Sequence, residues 1–125
     1  MPENEDIVLN LPYQSSAPAL ARQFVTEHAA GLPTSVRDDA ELLVSELVTN
    51  ALRYGRPNIA LRLRLDPPCI GVAVQDSGDE DVQLIAGVEA NATSGRGLLI
   101  VDAVASKWGV NPLEPPPGKT VWFEL

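Results

Sequence analysis

The apolar residues between positions 39 and 55 recur with the period of an α-helix. Their spacing of three and four residues predicts an amphipathic helix from about Ser35 to Tyr54, which packs one face on a core and stops at Gly55. The residues of that face are Ala40, Leu43, Val44, Leu47, Val48, Ala51 and Leu52. The other elements are expected to pack around this helix.

The remaining hydrophobic patterns predict strands on both sides of the long helix. Ile59–Leu65 and Ile70–Asp76 alternate with a period of two, which indicates half-buried strands. The other expected elements are a strand at Ile7–Leu11, a helix ending near Ala30, a helix at 98–105, a strand beginning at Trp108 and a strand at Thr120–Leu125. This order predicts one α+β domain over residues 1–125, a two-layer sandwich of a mixed, mostly antiparallel sheet with helices on one face. Residues 1–6 are expected to be disordered.

Three polar side chains share a stripe at the border of the helix's apolar face. Glu46, Asn50 and Arg53 stand at i, i+4 and i+7, so they lie one above another. They offer a proton acceptor, a hard oxygen ligand and an anion contact within a short distance. The alternative interpretation is a solvated helix edge in which Glu46 and Asn50 form a hydrogen bond.

A carboxylate ends the strand at 70–76 on the side of its core residues. Asp76 has the same parity as Val72 and Val74, so it points inward. A buried carboxylate needs a partner, because an unpaired buried charge is costly. The polar turn that follows contains Gly78, and residues 79–94 form a long loop without clear periodicity.

Gly95-Arg96-Gly97 leads directly into the helix expected to begin at Leu98. Free amides at a helix start, glycines that allow close approach and one cation together favour an anion site. An ordinary turn is the alternative for a glycine-rich segment alone. The segment is neither a P-loop, since no Gly-Lys-Ser/Thr is present, nor a Rossmann turn, since no strand runs directly into it.

Composition excludes several classes of protein. With 17 acidic and 9 basic residues, the net charge of −8 argues against direct binding of nucleic acid. No apolar run approaches the roughly 20 residues that span a bilayer. One cysteine and one histidine give neither a disulfide framework nor a typical zinc site. A cytoplasmic protein without a membrane anchor is expected.

In order and spacing these stretches resemble the motifs of the GHKL (histidine-kinase-like) ATPase superfamily over nearly the whole chain. The matches are Glu46 and Asn50 to the N-box, Asp76 and Gly78 to the first glycine box, Gly95-Arg96-Gly97-Leu98 to the second, and Gly118-Lys119-Thr120 to the last Gly/Thr element. Each motif alone is weak, and four in the family's order are much more specific.

The resemblance implies a role for each helix-stripe residue toward ATP. Asn50 would hold Mg²⁺ bridging the phosphates, since an amide oxygen suits a hard ion. Glu46 would be the general base or the group that orients the attack on the γ-phosphate. Arg53 would add a phosphate contact.

The resemblance also implies roles for the two glycine boxes and the last strand. Asp76 would accept the exocyclic amine of adenine, with Gly78 beside it and Thr120 nearby in support. Gly95, Arg96, Gly97 and Leu98 would line the phosphates, and residues 79–94 would form the ATP lid.

Within the superfamily the chain looks most like the bacterial anti-sigma factor serine/threonine kinases. The segments Glu46–Ala51 and Gly118–Leu125 are typical of that group. The resemblance implies a transferase that binds a sigma factor and phosphorylates an anti-sigma factor antagonist, and it allows a homodimer. Asp79-Glu80 replaces the second glycine of the first glycine box, so a nucleotide-dependent binding module without phosphate transfer is the alternative. A degenerate scaffold that binds no nucleotide is a third.

Overall fold

The computed structural model describes residues 6–78, 100–114 and 116–125 of the chain. Within these ranges the predicted order of elements is confirmed, and residues 100–104 are helical. The elements are β1 (Asp6–Leu11), α1 (Ala17–His28), α2 (Thr34–Tyr54), β2 (Ile59–Asp66), β3 (Cys69–Asp76), β4 (Lys107–Pro112) and β5 (Lys119–Glu124). No helix in the described ranges combines the length and the apolar character that crossing a bilayer requires.

The strands form one sheet in the order β1-β2-β3-β5-β4. Each pairing between these strands is antiparallel, so the described part of the sheet contains no parallel pair. The last strand in sequence, β5, therefore lies between β3 and β4. Its register places Lys119 directly opposite Asp76.

The core lies between the sheet and the two long helices, as the α+β prediction requires. Alternate residues of the central strands are buried, because successive side chains of a strand point to opposite faces. The buried strand residues are Ile59, Leu61, Leu63, Ile70, Val72, Val74, Val121 and Phe123, and those of the helices include Ala21, Val25, Leu43, Val44, Leu47 and Val48. The predicted apolar face of α2 is buried except for Leu52, which is partly buried.

The expectation that residues 1–6 are disordered is wrong for Asp6, where β1 begins. The Nε–H of Arg64 donates to Asp6 Oδ1 at 3.0 Å, and Arg62 Nε lies 3.6 Å from Oδ2. Both arginines point to the outer face of the sheet, as the alternation in β2 predicts. The carboxylate thereby gains cationic neighbours that extend the edge strand by one residue.

The C-terminal end of α2 is fixed by a side chain from the segment before α1. The Tyr13 hydroxyl lies 3.0 Å from the carbonyl oxygen of Leu52 and 3.1 Å from that of Gly55. Carbonyl groups in the last turn of a helix lack partners within the helix, so an external donor there stabilises the end. The helix stops at Gly55, whose N–H donates to the Ala51 carbonyl at 2.8 Å.

Candidate functional site

A buried ion pair stands where the ends of α2, β3 and β5 meet. Asp76, the last residue of β3, is 2% exposed, and Lys119, the first residue of β5, is 6% exposed. The Lys119 ammonium donates to Asp76 Oδ1 at 3.1 Å. The partner that an inward carboxylate at the end of β3 requires is therefore Lys119.

The two oxygens of the Asp76 carboxylate differ in their contacts. Oδ1 accepts the N–H of Gly78 at 2.7 Å and the ammonium of Lys119. No described residue donates to Oδ2. An ionised carboxylate can accept about four hydrogen bonds over its two oxygens, so Asp76 retains acceptor capacity on the Oδ2 side.

Two glycines surround the carboxylate because side chains there would collide with it. A Cβ at Gly55 would lie 2.5 Å from Asp76 Cγ, and one at Gly78 would lie 3.0 Å from Asp76 Oδ1. The N–H of Ser77 donates to the carbonyl of Arg56 at 3.0 Å, which joins the end of β3 to the segment after α2. The backbone thus approaches Asp76 closely from two sides.

A third glycine fixes the start of β5. Gly118 has φ +131°, a backbone conformation that L side chains rarely adopt, and a Cβ there would also lie 2.4 Å from Leu113 Cδ1. Its carbonyl accepts the N–H of Leu113 at 2.9 Å across the β4–β5 hairpin. This turn determines where Lys119 enters the sheet.

The predicted helix stripe is present on α2, and one of its members has an unmet hydrogen-bonding group. Glu46 and Asn50 are half-buried, and Arg53 is exposed. Asn50 Nδ2 is buried and has no hydrogen-bond partner among the described residues. The Glu46–Asn50 hydrogen bond of the alternative interpretation does not form between these two described side chains.

The carboxamide of Asn50 therefore has hydrogen-bonding capacity that no described residue uses, and this capacity suits contact with a bound ligand. A buried polar group without a partner is unfavourable by roughly 1–3 kcal/mol. The amide nitrogen and oxygen exchange places when the group rotates by half a turn, so the same position can present an oxygen to a cation. No three His, Cys, Asp or Glu side chains among the described residues come together as a metal site of their own.

The structure does not bring Thr120 to the Asp76 carboxylate. Thr120 is paired with Gln75 in the sheet register and lines a groove on the outer face together with Trp122. Because successive side chains of a strand alternate, Lys119 and Thr120 lie on opposite faces, and Lys119 takes the inner one.

Sequence reasoning missed Lys119, although the sequence contains the signal for it. Val121 and Phe123 are apolar positions of the last strand and both are buried, so the residue two before Val121 points inward as well. Gly95, Arg96, Gly97 and Leu98, and the loop at 79–94, lie outside the described residues.

Comparison with known protein families covers nearly the whole chain. The family model described as a histidine kinase-like ATPase domain matches residues 12–124. No curated protein matches the chain closely enough to count as a relative.

Among solved structures, the chain is similar to the RsbU and RsbW domains of Rv1364c from Mycobacterium tuberculosis. The TM-score is 0.71 at 20% sequence identity, and the match covers 96% of this chain. The chain spans 31% of the length of that protein chain. At this identity the likeness establishes the α+β fold.

Proposed function

Because the chain belongs to the histidine kinase-like ATPase family, we propose that it binds ATP with Mg²⁺ between α2 and the ends of β3 and β5. We further propose that it is a serine/threonine protein kinase of the anti-sigma factor type. Its partners would be a sigma factor and an anti-sigma factor antagonist, and its action would be cytoplasmic. The assignment to this group rests on the resemblance of the segments Glu46–Ala51 and Gly118–Leu125.

The observation that carries the proposal is the order of three polar groups along α2 and beyond its end. Gly55, at the end of the helix, abuts the buried Asp76 carboxylate. At 1.5 Å of rise per residue, Asn50 lies about 7.5 Å and Glu46 about 13.5 Å back along the helix axis. A hydrogen-bond acceptor for the adenine amine, an amide with an unmet hydrogen-bonding group and a second carboxylate thus follow one another, in the order in which the adenine, a metal ion and the terminal phosphate of ATP would need them.

The described surroundings of Asp76, Asn50 and Arg53 support a role for each of them. Asp76 would accept the exocyclic amine of adenine, and Asn50 would coordinate the metal through its amide oxygen. Bound Mg²⁺ would neutralise charge on the phosphates. Arg53 is exposed at the end of the stripe and would contact a phosphate. Gly95, Arg96, Gly97 and Leu98 would line the phosphates, with residues 79–94 as the lid.

Glu46 would handle the proton of the acceptor hydroxyl. The oxygen of a serine or threonine attacks the γ-phosphorus, the bond from that phosphorus to the bridging oxygen breaks, and ADP leaves with the electron pair. The proton of the hydroxyl passes to Glu46. Of the proposed groups on α2, Glu46 lies farthest from Asp76, the acceptor for the adenine amine. The products are the phosphorylated acceptor and ADP.

The alternative function is a nucleotide-dependent module that binds a partner and transfers no phosphate. It is favoured by Asp79-Glu80, which replaces the second glycine of the first glycine box and adds negative charge next to a site for polyphosphate. Retention of Glu46 favours the kinase, because a binding module has no need for a base there.

Calorimetric titration of ATP and ADP, with and without Mg²⁺, tests the binding site. We expect Mg²⁺-dependent binding that is lost in Asp76→Ala. The matched control is Asp66→Ala, since Asp66 also ends a strand but is exposed. Absence of binding by the unaltered protein at millimolar nucleotide, or equal binding by Asp76→Ala, would contradict the proposal. Transfer from labelled ATP to a serine-bearing antagonist then separates the kinase from the binding module.

A further inference from the structure

The Lys119 ammonium is a buried cation for which the family motifs provide no role. It is the first residue of β5, is 6% exposed and contacts Asp76 Oδ1 at 3.1 Å. An ammonium carries three N–H donors, and this contact uses one of them. No other described residue accepts a hydrogen bond from Nζ.

The ion pair presents a donor and an acceptor side by side. Asp76 Oδ1 is engaged by Gly78 and Lys119, which fixes the carboxylate and turns its remaining acceptor capacity toward Oδ2. Lys119 supplies N–H groups next to that acceptor. Adenine carries the complementary pattern, because its exocyclic amine is a donor and the ring nitrogens on either side of it are acceptors.

From this geometry we propose that Lys119 is a base-reading residue of the nucleotide site, which means that it recognises the adenine base through a direct hydrogen bond. The proposal rests on the function proposed above. Asp76 accepts the exocyclic amine through Oδ2, and Lys119 donates to a ring nitrogen next to that amine. Two contacts therefore recognise the base. Thr120, on the opposite face of the sheet, takes no part in this contact.

A purely structural role for Lys119 is neutralisation of the buried Asp76 charge. Removing one partner of a buried ion pair leaves an uncompensated charge and destabilises the fold. That role predicts equal weakening of every nucleotide that offers the exocyclic amine. The base-reading role predicts weakening that depends on the ring nitrogen.

The test is a cycle that combines protein variants with nucleotide analogues. Calorimetry measures the binding of ATP, 1-deaza-ATP and 7-deaza-ATP to the unaltered protein and to Lys119→Met. Each of the two analogues lacks one of the ring nitrogens next to the amine. In the unaltered protein we expect one analogue to bind about tenfold more weakly than ATP, as for the loss of a hydrogen bond to a charged group. In Lys119→Met we expect that analogue and ATP to bind equally.

Comparison of ligands within one variant separates base reading from loss of folded protein. Unfolding lowers the apparent affinity for all three nucleotides by the same factor and leaves their ratio unchanged. Lys119→Arg, which keeps the charge and the donors, is expected to retain the preference for ATP. If Lys119→Met alone is only partly folded, the same ratios are measured with trimethylamine N-oxide added, which favours the folded state and leaves Asp76 unaltered as the acceptor.

The possible outcomes distinguish this inference from the proposed function. If the unaltered protein binds no ATP, the proposed function fails and the base-reading role fails with it. If ATP binds but both analogues bind as tightly as ATP, only the role of Lys119 is wrong. The same conclusion follows if Lys119→Met retains the full preference for ATP over the analogue.

Discussion

Gly55 and Asp76 are in contact without room for one more carbon atom. A Cβ at Gly55 would lie 2.5 Å from Asp76 Cγ and 2.7 Å from Oδ1. The end of α2 and the end of β3 therefore fit together only because residue 55 has no side chain. The φ of Gly55 is −96°, so close approach, and not an unusual backbone conformation, explains the glycine.

Gly55→Ala is expected to displace the Asp76 carboxylate and weaken nucleotide binding at least tenfold. Overpacking in a tight site also lowers the free energy of unfolding, by about 1–3 kcal/mol. Calorimetry with ATP and urea denaturation measure the two effects. Gly31→Ala is the control, because a Cβ at Gly31 would meet nothing within 4 Å. Normal ATP binding by Gly55→Ala would place the base elsewhere.

Substitutions at Asp76 and Lys119 are expected to have coupled effects on the free energy of unfolding. Asp76→Asn and Lys119→Met each leave one buried charge unpaired, which lowers the free energy of unfolding by about 3–5 kcal/mol. The double variant removes both charges and is expected to recover most of that loss. Urea unfolding of the four proteins gives the coupling between the sites. Purely additive losses would mean that the two side chains do not depend on each other.

Glu46→Gln is expected to separate phosphate transfer from nucleotide binding. The amide keeps the size of the side chain but cannot accept the proton, so transfer to the antagonist should fall by about 10²–10⁴-fold. ATP affinity should stay within about twofold of the unaltered protein. Glu27→Gln, on the exposed face of α1, controls for the loss of one negative charge. Undiminished transfer by Glu46→Gln would mean that another group takes the proton.

Tyr13→Phe is expected to weaken the end of α2. The change removes the hydroxyl near the carbonyls of Leu52 and Gly55 and should lower the free energy of unfolding by about 0.5–1.5 kcal/mol. Tyr54→Phe is the matched control, since Tyr54 is similarly exposed and its hydroxyl makes no hydrogen bond to a described residue. Equal stability of the two variants in urea would show that the Tyr13 hydroxyl does not hold the helix end.

Periodicity predicted the fold well because each element has a clear inner and outer face. The apolar spacing on α2 gave the helix to within one residue at its start, and the alternation in β2 placed Arg62 and Arg64 outside. Asp76 was expected to be buried with a partner, and it is. These conclusions depend only on local geometry, which the sequence encodes directly.

Pairing across the sheet was harder to predict because it depends on register between distant strands. The partner of Asp76 lies 43 residues away, and the motif drew attention to Thr120 in place of its neighbour Lys119. A shift of one residue in a strand exchanges its two faces, so a motif match without register cannot tell which of two adjacent side chains enters the site. The edge strand β1 likewise gained Asp6 through contacts with β2 that no local pattern indicates.

The position of β5 between β3 and β4 determines when the site can form during folding. The β2–β3 and β4–β5 hairpins close over short stretches of chain and can form locally. The β3–β5 pairing joins residues at least 43 positions apart, and the entropy of closing that loop must be overcome before the contacts form. Asp76 and Lys119 meet only when the two hairpins dock. The ion pair is therefore a marker of the completed sheet, and a half-assembled chain lacks the end at which we propose that the base binds.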